Sequence, residues 1–241
     1  MKKIDVCLSP ELLHLYDFQQ RVVVIVDILR ATSCITAGIA CGITSIIPVA
    51  SLEECKKLQQ QGLVAGAERD GKKAEGFDLG NSPFDYMDDR LRGKTIAMTT
   101  TNGTQAIEGA KNAYQIVIGS FLNLSTLVNF FSTQERDLLV LCAGWKGKFN
   151  LEDTLFAGAL VENLLEHFES EDDAALAAGK LYLLAKSDLL TFISNSSHVN
   201  RLKRLNIEKD IEFCLKPDQF EVIPILQNGQ LIKLDIVNHL G

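Results

Sequence analysis

Five consecutive apolar residues, Val22-Val23-Val24-Ile25-Val26, are all β-branched and end abruptly at Asp27. Such a run suits a strand covered on both faces, and strands of that kind belong to parallel or mixed sheets flanked by helices. The rest of the chain repeats the theme. Residues 31–42 read as a helix with Thr32 or Ser33 as cap, and residues 44–49 as a second strand. Ser51 caps the next helix, with Glu53 and Glu54 in the first turn, where the helix dipole favours them. Further strands are predicted at 63–66, 94–98, 114–118 and 137–142, and further helices at 104–111, 122–131 and 151–167. Residues 172–205 read as largely helical, and 221–226 with 230–234 as a hairpin around Asn228-Gly229. Strands alternate with helices, so the class is α/β, and the hairpin makes the sheet mixed. A faint repeat places Thr36-Ala37-Gly38 after Asp27 and Phe156-Ala157-Gly158 after Cys142, which leaves two similar interlocked halves open.

A chain of 241 residues buries roughly 70–75% of its unfolded surface, so no disulfide staples are needed. The six cysteines form no C-x-x-C pair and read as free thiols in a reducing compartment. No long apolar stretch follows the charged start, and no run reaches the roughly 18 residues of a membrane span. A cytoplasmic protein without membrane contact is expected. The net charge of −7 argues against a general nucleic-acid binder. It does not exclude a small anionic substrate, which a few arginines, a metal and backbone N–H groups can bind locally.

Four polar segments fall where strands end, the place where open α/β sheets bind ligands. In Asp27-Ile28-Leu29-Arg30-Ala31-Thr32, the aspartate can ligate Mg²⁺ or attack a phosphoryl group, and Arg30 can fork onto anionic oxygens. Equally, Asp27 can cap the helix and Arg30 can pair with it. A polar stretch, 68–92, reads as a long loop. It offers Glu68 and Asp78 as metal ligands and Arg69 as an anion clamp, against a plain solvated loop. Thr99-Thr100-Thr101-Asn102-Gly103-Thr104 joins strand to helix and reads as an anion cradle rather than a simple cap. After Cys142-Ala143-Gly144-Trp145, Glu152 and Asp153 open a helix as metal ligands, as a general acid/base, or merely as dipole partners. Cys142 is either a thiolate nucleophile or a packed core residue.

Two common phosphatase chemistries are disfavoured. Leu29 stands where an Asp-x-Asp motif needs its second aspartate, and Lys148 where a cysteine-phosphatase loop needs arginine. His14, His167, His198 and His239 are too scattered for a zinc site. His198 is the most plausible functional histidine, with a surface cap as its plainer reading.

Taken in order, several segments resemble the 2-phosphosulfolactate phosphatase family. They are 27–32, Gly66-Ala67-Glu68-Arg69, Gly76-Phe77-Asp78-Leu79-Gly80-Asn81-Ser82-Pro83, 99–104, Cys142-Ala143-Gly144, and Glu152-Asp153 with Ala157-Gly158. Ser196-Ser197-His198, Asp210-Ile211 and Pro224 add to the likeness, which spans nearly the whole chain. Trp145-Lys146-Gly147-Lys148 matches no family motif. The resemblance implies a three-layer α/β/α fold and Mg²⁺-dependent removal of phosphate from 2-phospho-3-sulfolactate, a step that serves coenzyme M synthesis in methanogens. On that basis Asp27, Glu68, Asp78, Glu152 and Asp153 are the expected metal ligands. Asp27, Arg30, Cys142 and Glu152 are the catalytic candidates. Arg30, Arg69, Asn81, Ser82, Thr99, Thr100, Thr101, Asn102, Gly103 and Thr104 are expected to hold substrate. The attacking group is a metal-activated water or Asp27. A phosphatase for another hydroxy acid, a cysteine-dependent enzyme and a non-catalytic binding module are the rival readings, and a homodimer is left open.

Overall fold

The computed structural model describes residues 2–235. Its strands are β1 (Lys2–Cys7), β2 (Val22–Val26), β3 (Ser45–Pro48), β4 (Val64–Arg69), β5 (Lys72–Lys73), β6 (Thr95–Thr99), β7 (Gln115–Gly119), β8 (Leu138–Cys142), β9 (Phe168–Glu169), β10 (Pro224–Gln227) and β11 (Gln230–Lys233). The helices are α1 (Ala31–Ala40), α2 (Leu52–Gln60), α3 (Pro83–Tyr86), α4 (Gly103–Gly109), α5 (Leu124–Ser132), α6 (Leu151–Asn163), α7 (Asp173–Ala185), α8 (Leu189–Ile193), α9 (Ser197–Lys203) and α10 (Glu208–Cys214).

The strands form one sheet of 11, in the order β5-β4-β6-β3-β11-β10-β7-β2-β8-β1-β9. The run 22–26 lies between β7 and β8, parallel to both, with every residue buried. Alternation along β2 serves two cores. Val22, Val24 and Val26 face Phe131 of α5 and Phe156 and Leu160 of α6, whereas Val23 and Ile25 face Cys34, Ile35 and Ile39 of α1. A small third cluster, around Cys55 of α2, covers Ala65 and Ala97. Helices therefore cover both faces of a mixed, mostly parallel sheet.

The sheet holds two parallel blocks, β4-β6-β3 and β7-β2-β8-β1-β9. Between them the β10–β11 hairpin pairs antiparallel with β7 on one side and with β3 on the other. Three antiparallel pairings separate the blocks, so the blocks run in opposite senses. Neighbouring strands rotate by roughly 20–25° each, so the five steps from β6 to β2 turn the sheet through roughly 100–125°. Together, reversal and rotation direct the carboxyl ends of β2 and β6 toward one corner. Gly103 marks that corner. A Cβ on it would lie 2.7 Å from Ala31 Cβ and 2.9 Å from Asp27 Oδ2.

Several elements differ from the sequence expectation. β1 was not anticipated, because two lysines head a strand whose buried residues are Ile4, Val6 and Cys7. Within 68–92 the chain forms β5, α3 and a short 3-10 helix, Asp89–Leu91, rather than one loop. The 172–205 stretch divides into α7, α8 and α9, because Asp188 and Ser196 each cap a new start by accepting the N–H of Thr191 and Val199. The Asn228-Gly229 turn has φ of 51° and 77°, as a two-residue type I′ hairpin requires. All six cysteines are free thiols. Among the described residues no helix is long and apolar enough to cross a membrane.

Helices α6 and α7 pack with their backbones almost touching at Gly158. A Cβ there would lie 2.0 Å from the carbonyl oxygen of Ala178 and 3.0 Å from the Gly179 nitrogen. Gly158→Ala must push the helices apart. It should cost roughly 3 kcal/mol, a fall in Tm of roughly 6–12 °C by calorimetry. An unchanged Tm would show that the two helices are not held this close.

Candidate active site

Asp27 follows β2 directly, four residues before α1 begins, and its side chain reaches the first residue of that helix. It donates its N–H to Thr32 Oγ1 at 3.1 Å and accepts the Ala31 N–H on Oδ1 at 3.3 Å. Burial pushes its carboxyl up to about 6, the nearby His198 opposes that rise, and Glu68 and Glu152 add to it. An acid in that position resists carrying its charge unless a cation comes near.

Asp153, in the first turn of α6, is fully occupied inside the fold. Its Oδ1 accepts the Ile28 N–H at 2.9 Å, and its Oδ2 accepts the Gly144 N–H and Asn150 Nδ2, both at 3.0 Å. Its carboxyl is pushed well up by burial, then by Asp27 and Glu152. The adjacent Glu152 has no solvent exposure. Glu152 Oε1 meets His198 Nδ1 in a short contact, while Oε2 is buried without a hydrogen-bond partner.

Arg30 precedes α1 and is 4% exposed. Its Nη1 contacts Asp210 of α10, and its Nη2 donates to the Gly71 carbonyl at 2.9 Å. Asp210 also accepts the Ser82 hydroxyl at 3.1 Å. Glu68, at the end of β4, accepts the Gly71 N–H on Oε1 and the Thr101 hydroxyl on Oε2, the latter at 3.2 Å. Thr100 and Thr104 largely satisfy each other. The Thr104 N–H donates to Thr100 Oγ1 at 3.2 Å, and the Thr104 hydroxyl donates to the Thr100 carbonyl at 2.8 Å. Thr100 thus satisfies an N–H in the first turn of α4, so only part of the 99–104 run is free to meet a ligand. Thr99 Oγ1 is buried and unpartnered.

One cleft gathers these groups. Asp27, Arg30, Glu68, Asn81, Thr101 and Asn102 border it, as the sequence reading expected. Asn81 Oδ1 is buried there without a partner. The other expected residues, Arg69, Asp78, Ser82, Thr99, Thr100, Gly103, Thr104, Cys142, Glu152 and Asp153, do not line it, and three of these are committed elsewhere. Asp78 turns toward α2, where its Oδ2 accepts the Ala65 N–H and Gln59 Nε2, both at 2.9 Å. Arg69 folds back onto the Glu68 carbonyl at 2.6 Å. Cys142 is fully buried in the apolar core, and burial with the nearby Asp153 pushes its thiol well above the ordinary range. It is a packed thiol, and a nucleophilic role for it is not carried further.

The cleft also contains residues that the sequence reading passed over or left as surface: Asp70, Trp145, Lys146, His198 and Arg201. Their signals are slight. His198 and Arg201 lie three apart on one helix, and hence on one face. Trp145 is the chain's single tryptophan and stands just past a buried strand. His239 lies outside the described residues.

Among the described residues, no group of three His, Cys, Asp or Glu side chains is placed to hold a metal ion. The cleft instead gathers the acids Asp27, Glu68 and Asp70, with Glu152 near Asp27, together with the cations Arg30, Lys146 and Arg201. That combination of charge suits a cation and a small polyanion bound side by side.

Comparison with known proteins supplies the context. A family model described as 2-phosphosulpholactate phosphatase matches residues 7–229. A protein of Thermotoga petrophila called "Probable 2-phosphosulfolactate phosphatase" is 42% identical over 212 residues, covering 88% of this chain and 92% of its own length. A protein of Caldanaerobacter subterraneus subsp. tengcongensis with the same description is 39% identical over 219 residues, covering 88% and 90%. Another, from Clostridium acetobutylicum, is 34% identical over 235 residues, covering 95% and 100%. With nearly the whole chain matched, the protein belongs to the 2-phosphosulfolactate phosphatase family.

Proposed function

We propose that this protein hydrolyses 2-phospho-3-sulfolactate to 3-sulfolactate and phosphate with Mg²⁺ in the cleft. The observation that carries the reading is the cleft itself, which brings the buried carboxylates of Asp27 and Glu68 together with three cationic side chains. The residues suit Mg²⁺. It takes oxygen ligands, and it commonly uses one or two carboxylates while water and phosphate oxygens complete its shell, so a closed protein cage is not required. Asp27 and Glu68 offer carboxylates in the cleft, and the unpartnered Glu152 Oε2 is a further buried oxygen donor beside them. When bound there, the ion neutralises phosphate oxygens and lowers the cost of charge on the attacking water.

The chain's own groups do the rest. Arg30, fixed by Asp210 and Gly71, presents its remaining N–H donors to phosphate oxygens. With Nδ1–H donated to Glu152, His198 keeps Nε2 as the ring nitrogen available to carry a proton to the departing alkoxide oxygen. The thiol state of every cysteine suits a reducing, cytoplasmic setting.

The direct test is phosphate release from racemic phosphosulfolactate, phospholactate and phosphoglycolate, each with Mg²⁺ and with EDTA. Metal-dependent turnover that favours the sulfonate is expected. Turnover of the other esters alone would keep a phosphatase and reject this substrate, and no turnover of any would reject catalysis. His198→Asn should lower kcat by roughly 10²–10⁴-fold while the fold persists, as loss of a proton-transfer group does. Activity within a few-fold of wild type would remove His198 from the mechanism.

The crowded acids also predict a stability effect. Asp27 holds its proton more tightly folded, at about 6, than at the ordinary 3.8. The metal-free fold therefore loses stability as pH rises from about 3.8 to about 6, and above that window the loss is on the order of 3 kcal/mol. In EDTA at pH 8, Asp27→Asn should raise Tm by roughly 6–12 °C, with little gain near pH 4. Mg²⁺ should raise the Tm of wild type more than that of the variant. Equal Mg²⁺ shifts in the two proteins would place the ion away from Asp27.

A further inference from the structure

Helix α7 turns small residues inward and leucines outward. Its buried face is Ala175, Ala178, Gly179 and Ala185, and Ala178 and Gly179 meet α6 at Gly158. Its opposite face carries Leu176, Leu183 and Leu184, which are 58%, 37% and 72% exposed. Ala177 and Lys180, also exposed, lie among them. Spacings of three, four and seven residues put all five on one stripe. A helix covering a folded core ordinarily presents charged and polar residues to water, and an outward apolar stripe marks an interaction surface.

The order of residues along the stripe identifies the partner. Read in both directions from Lys180, the face repeats itself. Ala177 and Leu183 stand three residues away, and Leu176 and Leu184 four. Farther out, exposed Asp173 on one side is matched by exposed Lys186 on the other. Neither of these, nor Lys180, forms an ion pair among the described residues. A face that is symmetric about its centre in apolar residues, and opposite in charge at its ends, is complementary to a second copy of itself turned end for end.

We infer that α7 is the isologous interface of a homodimer, with two α7 helices packed antiparallel across a two-fold axis at Lys180. Leu176 of one copy then meets the partner's Leu184, and the same contact recurs on the other side of the axis. Asp173 lies one residue from the level of the partner's Lys186, so opposite charges meet at each end of the pair. Antiparallel packing also sets each helix N-terminus beside the other's C-terminus, which the helix dipoles favour. The two Lys180 stems lie over leucines and carry their ammonium groups out to water, fixing the register at a cost in affinity. A helix of 13 residues is about 20 Å long, so the contact stands at the low end of specific interfaces. The inference is independent of the phosphatase reading, because α7 supplies no residue to the cleft.

Sedimentation equilibrium of the full chain should show a reversible monomer–dimer equilibrium with a Kd of roughly 1–100 µM. Leu176→Glu and Leu184→Lys each put one unmatched charge into both symmetry-related contacts. Each alone should weaken the dimer at least about hundredfold. Both positions are exposed, so an unchanged far-UV spectrum is expected of each variant. Mixed in equal amounts, the two variants should pair with each other to within about tenfold of wild-type affinity. In that mixed dimer the new carboxylate meets the new ammonium, while the other contact keeps both leucines. Native mass spectrometry separates mixed pairs from like pairs. Lys180→Gln removes both ammonium groups from the axis and should tighten the dimer several-fold. A chain that stays monomeric to about 500 µM would overturn the α7 interface. So would a dimer that survives both leucine substitutions, two variants that stay apart when mixed, or a dimer weakened by Lys180→Gln.

Discussion

The carboxylate of Asp153 holds three pieces of chain in place. It receives the N–H of Ile28 just after β2, the N–H of Gly144 just after β8, and the side chain of Asn150 at the start of α6. Each is a polar group that the fold buries and that would be costly unpaired. Because one acceptor serves all three, Asp27, Trp145 and Glu152 are set relative to one another by a single residue that does not itself border the cleft. Three donors take most of the lone pairs of this carboxylate, which is why Asp153 reads as the frame of the site and Glu152 as its working neighbour.

Around that frame the charges are arranged at a cost. Asp27, Glu68 and Glu152 crowd together where burial already disfavours ionisation, and their mutual repulsion raises the Asp27 carboxyl. His198, in contact with Glu152, offsets part of this. A stability-driven core would replace such a group with apolar side chains. Keeping it makes physical sense if a cation completes the balance, and Arg30, Lys146 and Arg201 in the same cleft then have a role, to meet the anion that the cation brings.

The frame was easier to read in the sequence than the cations of the cleft. The β-branched run ending in Asp27 announced the central strand and its polar terminus, because a strand buried on both faces has almost no alternative pattern. Asn228-Gly229 announced its hairpin through a backbone requirement that few residue pairs meet. By contrast, nothing local marks Asp78 as a staple between a loop and α2, or Arg69 as folded back on its own strand. Both depend on what lies beside them in three dimensions. Cys142 illustrates the same limit, since a strand-end cysteine looks alike whether it faces a cleft or a core. Arg201 and Lys146 were passed over for the opposite reason. They sit on short surface elements, and only their convergence on Trp145, from segments more than fifty residues apart, gives them meaning.

The sheet explains why such distant segments meet. A uniformly parallel sheet would deliver all its strand ends along one edge, several strands apart. Here the β10–β11 hairpin reverses one block against the other, and accumulated twist folds the two sets of strand ends into a corner. Glu68 and Thr101 come to that corner from the β4–β6 block, while Asp27 and Trp145 come from the β2–β8 block, so neither block alone carries the site. Gly103 is the point of closest approach, since any side chain there would displace Asp27. Gly38 and Gly158, the glycines of the faint repeat, play comparable packing roles in the two helical layers, one against Ile43 and Tyr86 and the other against the α7 backbone. Those contacts set how closely α1 and α6 approach their neighbours, and the first residues of those same helices flank Asp27 and present Glu152.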